Sequence, residues 1–226
     1  MSEHDYISEM NAYYEAIAEL HDIYMNFVSN KEMEKLLGAL IRLIEKDVEG
    51  KNVLEIACGT GNWTTVLAKR ARYVTAVDAS ESMLKIARKK LSDIENVTLF
   101  RSDVYRLPNM AYDYDCAFSS DFWSHIPRGL VGGFLENLHS KLSGGATVIF
   151  IDMLPQPDPP NVTSRYDDCG NYVQRRILPD GRVFDVVKNF PEESELRELL
   201  TDTAVDIRYY RHLYLLRWVL KYRIAA

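Results

Sequence analysis

The 226-residue chain has only three cysteines, Cys58, Cys116 and Cys169. They form neither a CxxC pair nor a disulfide framework, which points to a reducing compartment. No apolar run approaches the roughly 18 residues that a membrane-spanning helix needs. The opening stretch, MSEHDYISEM, is acidic and lacks the apolar centre of a secretory leader, so a cytoplasmic location is expected. Positive charge is also short. Lys and Arg number 27 against 33 Asp and Glu, a formal net charge of −6. That balance argues against an electrostatic grip on nucleic acid or on an anionic membrane. The densest basic cluster, Lys85, Arg88, Lys89 and Lys90, reads as the solvated face of a helix. Prolines number eight, and four fall in PQPDPP (155–160), which can be neither helix nor central strand.

What is present is a globular composition, 47% hydrophobic and 27% charged, sufficient for one domain with a real core. Tyr6, Met10, Tyr13, Ile17, His21, Tyr24 and Val28 recur at helical spacing. A second helix is expected after Asn30, with Met33, Leu36, Leu37, Leu40, Ile41 and Ile44 as its stripe. Short apolar runs then alternate with helical stretches. Strands are expected at 52–57, 73–78, 96–103, 114–120 and 146–152, with helices at 61–71, after Ser80 and after Pro127. A turn is expected at Gly144-Gly145. This alternation predicts an α/β fold, a Rossmann-like and mostly parallel sheet with helices on both faces. Beyond the proline-rich loop, Pro179-Asp180-Gly181 between two β-rich runs predicts a hairpin. Residues 192–201 read as a helix, and the two runs after it as an antiparallel strand pair with little more than Arg211 between them. The expected organisation is a single domain over 1–226, with N-terminal helices at 1–48, a core at 50–153, an insertion at 154–190 and a C-terminal part at 191–226.

The stretch EIACGTGNWT (55–64) places two glycines between a strand and a helix. A dinucleotide loop, G-x-G-x-x-G, wants a third glycine where Thr64 stands, and a plain strand-to-helix turn is the other ordinary reading. Three acids widen the evidence. Glu55 precedes the loop, and Asp78 and Asp103 end the second and third strands. In an open α/β sheet the ligand lies at the carboxyl ends of the strands. Three carboxylates there are poor company for a pyrophosphate. They suit a ligand that carries positive charge and no phosphate, as S-adenosylmethionine does.

The ordered set VLEIACGTGNWT, AVDASESML, FRSDVYRLP, FSSDFWSHIP and HSKLSGGATVIFID resembles the class I S-adenosylmethionine-dependent methyltransferases, closest to the small-molecule methyltransferase type 11 group. The resemblance covers about residues 50–153 and runs more loosely to the last strand. It implies a seven-stranded sheet with an antiparallel last strand, an N-terminal helical lid and S-adenosylmethionine as cofactor. Carried onto this chain, it places Ala57, Gly59 and Gly61 under the methionine part, with Glu55 beside the loop. It places Asp78 and Ala79 at the ribose, Met83, Asp103 and Val104 at the adenine, and Ser119 along the site. Tyr14 is implied to close over the methionine end. Packing is the competing reading for Met83 and Tyr14. Two positions depart from the family pattern. Ala57 stands where a glycine is common, and His21 where a tyrosine is usual.

Methyl transfer from a sulfonium is an in-line displacement that asks for alignment and exclusion of water. A hydroxyl or protonated amine acceptor also asks for a base. His125 is the candidate base, with a helix cap or packing as its alternative role, and Asp121 is its rival. Trp123, Phe122 and Trp63 are candidates for walls around the reacting centre or for core packing. Asp121 and Asp152 make a weak metal pair, and no metal is expected. The segment SSDF in place of Asn/Asp-Pro-Pro-Tyr argues against nucleic-acid bases and amide nitrogens. The expected acceptor is a small molecule methylated on O, N or S. Its candidate contacts are Trp123 and, in the insertion, Arg165, Tyr166 and Arg175, with Tyr172 and Arg176 nearby. A protein side chain as acceptor, or a binder without turnover, are the alternatives.

Overall fold

The structure is a computed structural model. It describes residues 2–24, 30–109, 113–159 and 162–225, with the side chains of 30–37 left aside. Helix α1 (Glu3–Tyr24) buries Tyr6, Met10, Tyr13 and Ile17, the first turns of the stripe read from sequence; Val28 lies outside the described residues. Helix α2 (Asn30–Val48) buries Leu40 and Ile44. Its expected stripe residues Met33, Leu36 and Leu37 fall among the side chains left aside.

The core sheet has seven strands. Strands β1 (Asn52–Ile56), β2 (Tyr73–Asp78), β3 (Val97–Arg101), β4 (Tyr114–Ser120) and β5 (Leu142–Met153) run parallel, in the order β3-β2-β1-β4-β5. The sheet continues through β10 (Arg217–Ile224), antiparallel to β5, and ends at β9 (Ala204–His212). Helices α3 (Asn62–Ala68) and α4 (Glu81–Lys90) join α2 on one face. Helices α5 (Val131–His139) and α6 (Glu193–Leu200) cover the other. Both faces are therefore apolar, and central strands such as β1 read as continuous hydrophobic runs, as a two-sided sheet requires. The reversal of strand order lies between β1 and β4, so their carboxyl ends open the crevice where a ligand fits.

Three details differ from the sequence expectations. Gly144-Gly145 is no turn. It lies within β5, where Gly145 has φ +76° and the register against β4 shifts. The last two strands are separated by a full 3-10 turn, Leu213–Leu215, closed by Leu216 in the left-handed region. The insertion is more than a hairpin. Strand β6 (Val162–Tyr166) adds to β7 (Tyr172–Ile177) and β8 (Val183–Val187), making a separate three-stranded antiparallel sheet. Asp158 explains the third strand: its carboxylate accepts from Ser164 Oγ, Tyr172 Oη and Gln174 Nε2, stapling β6 to β7 just after the proline-rich loop.

Candidate active site

Helix α1 lies across the carboxyl end of the sheet and packs on the insertion sheet through Tyr6, Met10, Tyr13 and Ile17 against Val173, Val186 and Val187. Four acids pin it along its length. Glu3 accepts from Gly129 N and Glu9 from Asp185 N. Glu15 accepts from Ser80 Oγ and Ser82 Oγ, both at 2.5 Å. Asp22 accepts from Thr60 Oγ1, Asn62 Nδ2 and Lys90 Nζ. These bonds roof a cavity enclosing about 1400 Å³ of atom-free space, including its mouth to solvent.

One end of the cavity is formed by the first three strands. The β1–α3 turn carries Gly59 and Gly61 at φ +55° and +80°. A Cβ on Gly61 would stand 3.0 Å from Leu91 Cδ1, so glycine is favoured by its left-handed conformation and by the tight approach to Leu91 at the end of α4. Ala57 is also left-handed, at φ +54°. A residue with a Cβ carries a cost of about 1–2 kcal/mol there, which accounts physically for the preference for glycine at that place. Asp78 accepts from Gly59 N and Ser80 N, both at 2.8 Å, one bond to each carboxylate oxygen. Each oxygen keeps a further lone pair for a ligand. Asp103 accepts from Tyr105 N. Behind the loop, burial and the charge of Asp78 push the Glu55 carboxyl up to about 8, so it is neutral at pH 7, and its Oε2 has no hydrogen-bond partner.

The other end draws on α1, the loop after β4 and the insertion. His125 is fully enclosed. Its Nδ1 lies 2.6 Å from Val187 O and its Nε2 lies 2.7 Å from Tyr14 Oη. A carbonyl can only accept, so Nδ1 carries the proton and Nε2 accepts from the Tyr14 hydroxyl. Burial, then the charges of Lys188 and Arg176, hold His125 well below its ordinary value, so the ring is neutral. Burial raises the Tyr14 hydroxyl, which is therefore a donor at neutral pH. Lys188 donates to Ser124 Oγ and lies 3.6 Å from the buried Asp152. Asp121, at φ +58°, pairs with Arg217 at 3.3 Å.

Of the residues singled out in the sequence, Tyr14, Ala57, Gly59, Asp78, Ala79, Met83, Asp103, Val104, Asp121 and His125 line this cavity. Glu55, Gly61 and Ser119 stand just behind it. Ser119 is buried and donates to Ile56 O. Trp123 faces the core instead, 4.8 Å from the Phe150 ring and 6.2 Å from the Trp218 ring. Arg165 pairs with Asp185, Tyr166 is 71% exposed and Arg175 is exposed, and none of the three borders the cavity. Their neighbour Arg176 does, together with Lys188, Tyr105 and Met153. The alternation of β7 was the available signal. Residue 176 shares a face with Gln174, and its Nη2 donates to Gln174 Oε1 at 2.7 Å. Among the described residues, no group of three or more His, Cys, Asp or Glu is arranged to hold a metal.

Comparison with known proteins agrees with this geometry. The family described as methyltransferase domain matches residues 53–153. The solved structure described as the DhpI-SAH complex superposes with a TM-score of 0.78 at 28% identity, covering 100% of this chain and 99% of that one. The chain is a class I S-adenosylmethionine-dependent methyltransferase. Among curated relatives, this methyltransferase is 26% identical over 213 residues to the demethylmenaquinone methyltransferase of Listeria welshimeri serovar 6b, covering 88% of this chain and 89% of that one. It is 27% identical over 175 residues to the demethylmenaquinone methyltransferase of Staphylococcus aureus strain JH9, covering 71% and 70%. The donor set fits the cofactor. Two carboxylates and a left-handed glycine turn face the cavity at the strand ends, and Arg101 and Lys90 are turned to Ala79 O and Asp22 rather than into a phosphate site. No helix among the described residues is long and apolar enough to cross a membrane.

Proposed function

We propose that this methyltransferase acts on a small molecule, which enters between α1 and the insertion sheet and is methylated inside the cavity. The supporting observation is the roofed cavity itself. Its lining runs from Gly59, Asp78 and Asp103 at the strand ends to Tyr14, His125 and Arg176 beneath α1, so a cofactor site and an acceptor site adjoin in one roofed pocket. A polypeptide acceptor would need an open trench where the pinned α1 now lies. The bound cofactor supplies an electrophilic methyl group and a neutral thioether leaving group.

In this reading the protein's own residues bind and orient. Asp78 takes two ribose hydroxyls with its free lone pairs. Met83, Asp103 and Val104 surround the adenine. Ala57, Gly59 and Ala79 let the backbone approach closely, with Glu55 and Gly61 holding the turn and Ser119 the end of β4. The acceptor is deprotonated toward His125. Because the Nε2 lone pair is already engaged by Tyr14, the proton reaches it through the Tyr14 hydroxyl: Tyr14 gives its proton to Nε2 and takes the acceptor's. Asp121 stands at the same loop and is held by Arg217. The acceptor–methyl bond forms as the methyl–sulfur bond breaks, and the electron pair stays on sulfur.

The test is a coupled assay for S-adenosylhomocysteine over a metabolite library, with product masses, and a peptide and protein mixture in parallel. The expected result is turnover with small molecules and mass gains of one methyl on O, N or S. Turnover with polypeptides alone would overturn the small-molecule reading.

A further inference from the structure

The methyltransferase is acidic overall, yet the acceptor end of its cavity holds a spare cation. The charges there resolve pairwise. Asp152 and Lys188 neutralise each other in full burial, and Asp121 is matched by Arg217. Arg176 is left over. Among the described residues its guanidinium meets no carboxylate. Its Nε and Nη2 donate to Gln174 Oε1, and its carbon lies 5.1 Å from the centre of the Tyr13 ring. The nearest acid along this chain of contacts, Asp158, is one side chain further on and is already shared by Ser164, Tyr172 and Gln174.

A guanidinium enclosed by aromatic rings loses much of its hydration and recovers it best from an oxyanion, which matches its fork of donors. Arg176 sits in the same cavity wall as Tyr14 and His125, so such an anion would lie beside the proton-accepting pair. The cofactor end offers the opposite field: Asp78 and Asp103 face the cavity, and among the described residues that line it the Lys and Arg, Lys188 and Arg176, stand at the other end. An anionic acceptor is thus drawn to one end and repelled from the other.

Resting on the small-molecule reading above, we propose that the acceptor is a small organic oxyanion, and that Arg176 is the specificity-determining residue that pairs with its carboxylate or phosphorus-centred acid group. The pairing fixes which end of the acceptor points away from the methyl group. A neutral analogue leaves the guanidinium enclosed and unpaired, so discrimination against it is large.

The test uses the full chain saturated with S-adenosylhomocysteine and follows its NMR spectrum on titration with acetate, inorganic phosphate and the neutral probe acetamide. Saturable binding of an oxyanion, absent for acetamide, is expected. Acetate and phosphate arms show which acid group fits. In Arg176→Gln the oxyanion should bind about 10-fold or more weakly, with Arg176→Lys between, while S-adenosylhomocysteine affinity stays within about two-fold and certifies the fold. Equal binding of acetamide, equal binding by Arg176→Gln, or no oxyanion binding at all would overturn the proposal. Turnover of a library separates it from the parent reading. Neutral small molecules methylated in preference to acids would sink the oxyanion and leave the small-molecule reading standing. Polypeptide turnover alone would sink both.

Discussion

At one end of the cavity, Asp78, Ala79, Asp103 and Gly59 stand at the ends of adjacent strands and are aimed by backbone alone. At the other end, Tyr14 and His125 touch across 111 positions of sequence, and Arg176 and Lys188 arrive from the insertion. The first end is a property of the sheet. The second is a property of three elements being docked together. The two ends should therefore fail separately. Damage to the first should cost cofactor binding, and damage to the second should cost turnover with the cofactor still bound.

The largest separation is expected at Asp78. Asp78→Ala removes the proposed acceptor of two ribose hydroxyls and frees the Gly59 and Ser80 amides. Calorimetry should show S-adenosylmethionine binding weakened by about 3 kcal/mol, over 100-fold. An unchanged affinity would break the comparison at its stronger end. His125→Ala should do the reverse: kcat lower by roughly 100-fold, cofactor affinity nearly intact. Tyr14→Phe should reproduce much of that loss, since it removes the hydroxyl proposed to relay the proton to His125. A mutant that merely lost thermal stability and kept its turnover would make His125 a packing residue. Because burial holds the folded-state His125 below its ordinary value of 6.5, the unfolded chain binds the proton first. Its contribution to stability is present above pH 6.5 and is lost as pH falls below that toward the depressed folded value. Denaturant titrations across that window should show this slope in the parent and a shallower one in His125→Gln. The smallest effect is expected at Glu15, an exposed side chain whose bonds to Ser82 are open to solvent and whose bond to Ser80 is only part-buried. Glu15→Gln should shift cofactor affinity by less than about 1 kcal/mol, and amide exchange over residues 3–24 should quicken modestly in the cofactor-free protein.

The same contrast explains what was legible in the sequence. Strand ends, the glycine turn and Asp78 follow from local pattern, because a parallel sheet converts strand order into position. The residues lining the cavity at the strand ends were accordingly readable one by one. The acceptor side was not. His125 was visible as a histidine in the right loop, but its orientation depends on Val187 O and Tyr14 Oη, contacts no local pattern encodes. In the insertion, the expected contacts Arg165, Tyr166 and Arg175 lie away from the cavity. The alternation of β7 turns Arg175 outward and Arg176 toward Tyr13, and the third strand that fixes this sheet depends on Asp158 meeting three distant partners. Trp123 followed the same logic: its side chain completes the core against Trp218, a residue of a strand almost a hundred positions later.

Helix α1 touches both ends with one rigid body, through Glu15 and Asp22 at the cofactor turn and Tyr14 at His125. A single roof over both ends of one cavity makes its lifting the expected step common to loading and unloading. Spent cofactor and methylated product are then expected to share one exit event, with the release of Ser80, Thr60 and Lys90 by that helix, and not the displacement beneath it, as the predicted slow step. Viscosity should accordingly slow steady-state turnover, while the first turnover after mixing proceeds at its own pace.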